Sequence, residues 1–291
     1  MIPAQRARLQ LVAAAVLFST GGAVIKATTM TGWQAASLRS GIAALALAVL
    51  LPQARHGIRP RTFLVSIAYA ATLVLFVTAN KLTTSANTIF LQATGPLYIL
   101  LLAPWLLRER IRPSDLTFMA VVGAGLLLFF TGTETPVRTA PAPLEGNILA
   151  AISGFTWALT LMGLRWMGAN ESSGSPAGAV LLGNAFACLA TLPMALPLGG
   201  LPGTDWLAIG YLGVFQIALA YALVTRAVGH LPALEISIIL LVEPALNPIW
   251  SWLVHGERPG PWALVGGFLI IGATALRSFM AQRSARGLAR A

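Results

Sequence analysis

Runs of about twenty apolar residues, separated by short polar gaps, set the rhythm of this chain. A helix crossing the roughly 30 Å hydrocarbon core of a bilayer needs about 20 mostly apolar residues, at about 1.5 Å rise each. Ten runs fit, at 9–28, 33–52, 62–80, 84–107, 114–132, 145–167, 175–198, 204–227, 231–254 and 260–280. They are too long for barrel strands, which take about 9–11 residues and alternate apolar with polar. A helix satisfies its backbone polar groups within one segment, as lipid demands. The pattern predicts an all-α integral membrane protein of ten transmembrane helices. The longest gap, 133–144, is rich in Thr and Pro and falls between spans five and six.

Composition strengthens this reading. Hydrophobic residues make up 57% of the chain and charged ones 10%, against about 25% charged in a soluble domain. So few charges could not cover a water-facing surface. The net charge of +10 sits in short gaps between apolar runs, as cytoplasmic anchoring charges do. It shows no basic patch interleaved with aromatics, so no nucleic-acid partner is expected. With the N-terminus inside, 14 of the 19 basic residues fall on the inner side. Lys26, Lys81, Arg138 and Arg258 fall outside, and Arg39 falls within span two. Both termini are therefore expected in the cytoplasm of a bacterium, with the chain in its inner (plasma) membrane. Arg6 and Arg8 before an apolar run look like a signal peptide, but no small-residue cleavage site follows, so the run reads as a retained helix.

An internal repeat organises the spans. At an offset of 148, Pro96 falls on Pro244, Glu109 on Glu257 and Arg110 on Arg258. Span one, with AAVLFSTGG, likewise looks like span six, with AAISGFTWA, placing Thr20 on Thr156. Five spans is an odd number, so the second half must enter the membrane from the opposite side. The expected architecture is two inverted five-helix repeats around a central cavity, 1–132 and 145–291, joined by a periplasmic linker at 133–144. The second repeat ends in a short basic tail. Inverted repeats are common in secondary transporters, whose solute site lies near the midplane where the halves meet.

The same residues carry a family resemblance. TSANTIFLQATGPLYILLLAPWLLRER at 84–110 resembles the fourth-helix signature of the drug/metabolite transporter superfamily, in its ten-helix EamA branch. LPALEISIILLVEPALNPIWSWLVHGERP at 231–259 resembles the matching ninth helix. The first half departs from that pattern, with Arg108-Glu109-Arg110 where the second has Gly256-Glu257-Arg258. Within the branch the chain looks most like bacterial aromatic amino-acid exporters. The resemblance implies export of amino acids, aromatic or otherwise large and apolar, by rocking of the halves about helices four and nine. A broad drug or metabolite exporter is the alternative. The small multidrug exporters of the superfamily use a carboxylate in their first helix, and span one has no acid between Leu9 and Thr28.

Polar and aromatic stripes mark candidate cavity walls. In span three Tyr69, Thr72, Phe76 and Asn80 share one helical face, and in span four Asn87, Leu91, Thr94 and Tyr98 do. Span one offers Phe18, Ser19 and Gly22, span six Trp157, and span eight Tyr211 and Phe215. These read either as a lumen for an apolar side chain or as interhelical packing. Glu243, near the middle of span nine, reads either as a substrate-amine or proton site, or as a carboxylate fixed at a proline kink. Arg39 reads either as a carboxylate ligand or as a snorkelling cation. Lys26 and Lys81 read as interface anchors. Gly95, Pro96 and Pro244 are expected to shape hinges, because proline removes a helix hydrogen bond. Small-residue faces in spans five (Ala120, Ala124) and ten (Ala263, Gly267) read as close packing. A monomer or weak homodimer is expected.

Enzyme chemistry finds no support. His56, His230 and His255 are scattered over loops and span ends, and no P-loop or nucleophile elbow appears. Transport would then draw on a gradient. The single Cys188 rules out an intramolecular disulfide and reads as a packing thiol. No metal or cofactor is expected, and the partners are a small-molecule solute (an amino acid) and membrane lipid.

Overall fold

The computed structural model describes residues 3–106, 113–131, 135–168, 174–227, 230–231, 236 and 239–288. Glu109 and Arg110, half of the repeat's exit motif, lie outside the described residues, as does most of the start of span nine. The described residues are helical throughout, apart from loops and one isolated bridge between Val137 and Ala140. We number the helices α1 (Pro3–Ser19), α2 (Gly21–Ala27), α3 (Gly32–Leu50), α4 (Pro60–Leu82), α5 (Ser85–Gln92), α6 (Gly95–Leu106) and α7 (Pro113–Leu128). There follow α8 (Pro143–Gly168), α9 (Pro176–Ala195), α10 (Gly203–Tyr211), α11 (Ala220–Ala227), α12 (Val242–His255) and α13 (Pro261–Leu288). A π-helical segment, Leu212–Leu219, joins α10 to α11.

Among the described residues, seven segments are long and apolar enough to cross a membrane: Ala4–Ala27, Gly32–Leu50, Pro60–Leu82, Ser85–Leu102, Pro143–Leu164, Pro176–Ala195 and Gly203–Ala227. Asp115–Leu128 and Pro261–Arg277 are shorter apolar helices at the expected fifth and tenth spans. At the ninth, α12 has 14 residues. All ten expected runs therefore hold helix; α7 and α12 are shorter than a full span, while α13 is 28 residues long with Pro261–Arg277 as its apolar part.

Local chemistry explains the boundaries. Thr31 caps α3 by a reciprocal box with Gln34, and Thr84 and Ser175 cap α5 and α9. Proline begins α4 and α9, where its missing N–H costs nothing. Gly256 ends α12 at φ 67°, a left-handed conformation that suits glycine.

Several spans are broken in mid-course. The first breaks at Thr20, between α1 and α2. The fourth breaks at Ala93–Thr94, just before Gly95 and Pro96, and the Thr94 hydroxyl donates to the Leu91 carbonyl at 2.6 Å. The chain turns at Leu241, three residues before Pro244. Ala93 and Leu241 stand at the repeat's own offset of 148. The eighth span carries the π segment, a distortion common at functional positions.

Helices from the two halves interlock. α4 lies against α8 and α9, α3 against α9 and the π segment, and α7 against α13. Close approach depends on small residues. A Cβ at Gly266 would sit 2.5 Å from the Gly125 carbonyl oxygen, and one at Gly267 would meet the Phe90 ring. The small-residue face of the tenth span is thus used within the chain, while Ala120 and Ala124 are exposed. Large apolar side chains such as Leu45, Val49, Leu207 and Phe268 point outward, and Arg39, Asn80, Asn184 and Asn247 are buried. Apolar outside with polar inside is the arrangement lipid favours.

Candidate functional site

At the heart of the bundle lies Arg39, on the buried face of α3 and only 3% exposed. Its Nε and Nη1 atoms have no hydrogen-bond partner. Its guanidinium interacts electrostatically with Tyr69 on α4, Tyr221 on α11 and Glu243 on α12. No ion pair of 4.0 Å or less joins Arg39 to Glu243 in the described structure. Burying a charge costs several kcal/mol even after relaxation, and each unsatisfied donor adds roughly 1–3 kcal/mol. The fold tolerates that cost at one buried cation near mid-span.

An aromatic cluster meets it through Tyr69 and Tyr221. Phe18 meets Tyr221 edge-on at 5.3 Å, Tyr221 meets Tyr69 edge-on at 6.0 Å, and Tyr69 lies 6.5 Å from Trp157. The Tyr69 side chain also interacts with Tyr221 and Asn184. Two members come from the first half and two from the second, so the cluster straddles the junction. Glycine makes room: a Cβ at Gly183 would sit 2.6 Å from Tyr69 Cδ1, and one at Gly213 would sit 3.0 Å from the Arg39 carbonyl.

The breaks flank this centre. At the α1–α2 break, Thr20 Oγ1 lies 3.0 Å from the Tyr211 hydroxyl, Trp250 Nε1 donates to Ser19 Oγ at 2.9 Å, and Gln216 Nε2 donates to the Phe18 carbonyl at 3.4 Å. Gln216 belongs to the π segment, and its Oε1 is unpartnered. At the α5–α6 break, a Cβ on Gly95 would sit 3.3 Å from Trp157 Cδ1, and one on Gly154 would sit 2.9 Å from the Leu91 carbonyl. A seam of hydroxyls holds α4 to α8: Thr72 donates to Thr156 at 3.0 Å, and Ser153 donates to the Thr72 carbonyl at 3.3 Å.

The expected wall residues separate into groups. Phe18, Tyr69 and Trp157 join the cluster, with Thr72 one turn away, while Ser19 and Tyr211 tie down the α1–α2 break. Asn87 is buried against Thr83 and Asn147, and Asn80 accepts from Ser85 at 3.3 Å. Phe76 and Leu91 lie in the apolar core, and Thr94 caps the α5–α6 break. Tyr98 packs edge-on against Phe155 at 5.7 Å, and Phe215 is 46% exposed and stacked on Tyr211. Pro244 is buried in the first turn of α12, beside Glu243. Tyr221, Asn184 and Gln216 were not singled out from the sequence. Asn184 and Gln216 carried a usable signal, each being an amide well inside an apolar run.

A second polar network closes one end of the bundle. Lys26 and Glu257 form a salt bridge of 3.0 Å, with side chains 3% and 4% exposed. Lys26 also donates to the Thr83 carbonyl at 2.7 Å and to the Thr139 carbonyl. Glu257 accepts from the Ser85 amide at 2.9 Å. Lys81 donates to the Thr28 carbonyl at 2.7 Å, and Asp205 accepts from the Thr29 amide and hydroxyl. Lys26 and Lys81 thus point into the protein, where the sequence suggested interface anchors. The buried carboxylate and the bared carbonyls at the helix ends outcompete lipid headgroups for them. Lys26, Lys81, Arg138 and His255 line a pocket of about 250 Å³ at this end. Arg258 lines a neighbouring one of about 350 Å³. The four basic residues expected outside therefore gather at one end. Asp115 and Arg277 pair at 2.9 Å elsewhere, between α7 and α13. Among the described residues, no three His, Cys, Asp or Glu side chains come together to hold a metal.

This arrangement, a membrane bundle with broken helices facing a polar centre, has known counterparts. The pattern of the EamA-like transporter family matches residues 5–131 and again 144–279. The chain belongs to that family. The double match means that each half carries its own EamA-like unit. Among curated proteins, the pseudopaline exporter CntI of two Pseudomonas aeruginosa strains is 24% identical over 275 residues, covering 90% of this chain and 92% of that protein. A solved crystal structure shares 20% identity with a TM-score of 0.59, covering 92% of this chain and 96% of the other. At that identity the likeness speaks for the fold alone. This EamA-like chain is a multi-pass membrane protein of a transporter family, and its substrate class is a small solute.

Proposed function

We propose that this EamA-like protein is a secondary exporter of amino acids with aromatic or other large apolar side chains, in a bacterial inner membrane. It works by alternating access between two inverted five-helix repeats, with both termini in the cytoplasm. The observation that carries the reading is the cluster of Phe18, Tyr69, Trp157 and Tyr221 at the junction of the halves. Ring faces give apolar area and attract an ammonium group, each contact worth roughly 0.5–2 kcal/mol. Arg39, Thr72, Asn184 and Glu243 add polar contacts to the same wall. A phosphorylated sugar, with a charge near −2, would meet one buried cation there, too little to offset its desolvation.

The 24% relatives named as exporters of pseudopaline favour a second reading. In it the protein exports a metabolite other than a free amino acid. Counterflow in proteoliposomes separates the two. Phenylalanine, tryptophan and methionine are expected to exchange faster than a hexose phosphate. Faster exchange of the hexose phosphate overturns the wall assignment. Absence of exchange with every amino acid, in protein shown to be folded, turns the reading to such a metabolite.

A further inference from the structure

We infer that Arg39 is the carboxylate-binding residue of the central cavity, and that Arg39 with Glu243 selects solutes carrying one carboxylate and one amine. The inference rests on the reading above, that a small solute occupies the aromatic cavity.

The motive is an incomplete charge site. Arg39 is almost wholly buried, and two of its three guanidinium nitrogens have no partner. Guanidinium stays protonated in proteins. Snorkelling does not relieve it, because the side chain is only 3% exposed and its guanidinium faces Tyr69 and Tyr221 in the bundle interior. Tyrosine hydroxyls are neutral, and Glu243 reaches Arg39 by its field and not by a direct ion pair. What the site lacks is an anionic oxygen within hydrogen-bond distance. A carboxylate supplies it with the fork geometry that guanidinium recognises best.

Glu243 sets the other half of the selection. With Glu243 ionised, Arg39 and Glu243 together carry no net charge before a solute binds. A zwitterion keeps the centre neutral, its carboxylate on Arg39 and its ammonium toward Glu243. A solute with only an amine, or only a carboxylate, leaves one excess charge in a poorly solvated centre, which the bilayer penalises. Tyr69 and Tyr221 adjoin this pair, and through them the rings of Phe18 and Trp157 extend the surface that would receive the side chain.

The experiment is a competition series on purified protein in proteoliposomes, read as inhibition of phenylalanine counterflow. It compares phenylalanine with phenylalaninamide, phenethylamine and 3-phenylpropionate. In the wild-type protein, phenylalanine is expected to compete at least about tenfold better than each analogue lacking one charge, as loss of a charge-assisted contact implies. In Arg39→Gln the preference over phenylalaninamide is expected to fall to about one, and Arg39→Lys to keep part of it. In Glu243→Gln the preference over 3-phenylpropionate is expected to fall instead. Wild-type protein that treats phenylalanine and phenylalaninamide alike overturns the inference, as does a folded Arg39→Gln that still discriminates. If Arg39→Gln does not fold, the wild-type series and Arg39→Lys decide alone. Aromatic compounds competing with no regard to charge would sink the Arg39 assignment and leave the aromatic cavity standing. No counterflow of any amino acid would sink the proposed function itself.

Discussion

The buried Lys26–Glu257 pair closes one end of the protein, and removing one of its charges is expected to open that end. The substitution is Glu257→Gln. The pair is 3.0 Å apart and nearly free of solvent contact. Breaking such a pair by neutralising one partner costs about 3–5 kcal/mol, because the remaining charge is left buried. Glutamine keeps one acceptor oxygen for the Ser85 amide, so the effect belongs at the low end, about 3 kcal/mol. The cost falls on the closed arrangement alone, since an opened end lets Lys26 meet water. An equilibrium between closed and open forms then moves toward open by roughly two powers of ten. Ala23 lies three residues before Lys26 on α2, is buried, and its carbonyl contacts His255 Nε2 at 2.7 Å. With Cys188 replaced by serine, an Ala23→Cys probe should react with a membrane-impermeant maleimide much faster when Glu257→Gln is added. The double variant Lys26→Met with Glu257→Gln strands no charge and should return toward slow labelling. Equal labelling with and without Glu257→Gln, in folded protein, refutes the reasoning.

Topology gives a further prediction: cysteines at positions 138 and 59 should label from opposite sides of the membrane in intact cells, 138 from the outside, and labelling from one side for both would sink the inverted repeat. Pro96→Ala and Pro244→Ala are each expected to slow counterflow severalfold with little loss of expression, since they stand next to the matched breaks at Ala93 and Leu241; wild-type rates for both would make these prolines packing features. Gly266→Ala should lower thermal stability in detergent by about 1–3 kcal/mol, because its Cβ would press on the Gly125 carbonyl and force α7 from α13; an unchanged melting midpoint would show that the two helices do not need that contact.

Period and composition made the helices legible, because a bilayer imposes one length on every span. Charge placement foretold that Lys26, Lys81, Arg138 and Arg258 would share one end, and the pockets there bring them together. The finer site was legible only in part. Phe18, Tyr69 and Trp157 stood out because aromatics at helical spacing are conspicuous, and they do meet. Tyr221 completes their cluster from the far side of the chain, and one-helix spacing says nothing about which helices will be neighbours. Asn87 and Asn80 share their stripes with the cluster yet serve buried seams, because a face that points inward can meet a helix as readily as a cavity. Phe215 falls among the exposed residues, in a π segment that no residue pattern announces.

The two charged pairs explain why the molecule can hold a buried cation at its centre. At one end of the bundle, Lys26 has its carboxylate and two backbone carbonyls, so the pair stabilises one arrangement. At the centre, Arg39 and Glu243 keep their charges apart, with unpartnered nitrogens between tyrosines. A satisfied pair locks, whereas an unsatisfied one gains most from whatever completes it. A ligand shifts an equilibrium only by its differential affinity for the two states. A solute that completes the central pair can therefore supply free energy of the size needed to break the end pair, provided that its contacts are better in the opened form. The helix breaks at Thr20 and Ala93–Thr94 lie between the two sites along the chain, on α1–α2 and α5–α6. Those same segments supply Phe18 to the centre, and Lys26 and Ser85 to the end. On the alternating-access reading proposed above, movement at the breaks would link filling of one site to release of the other.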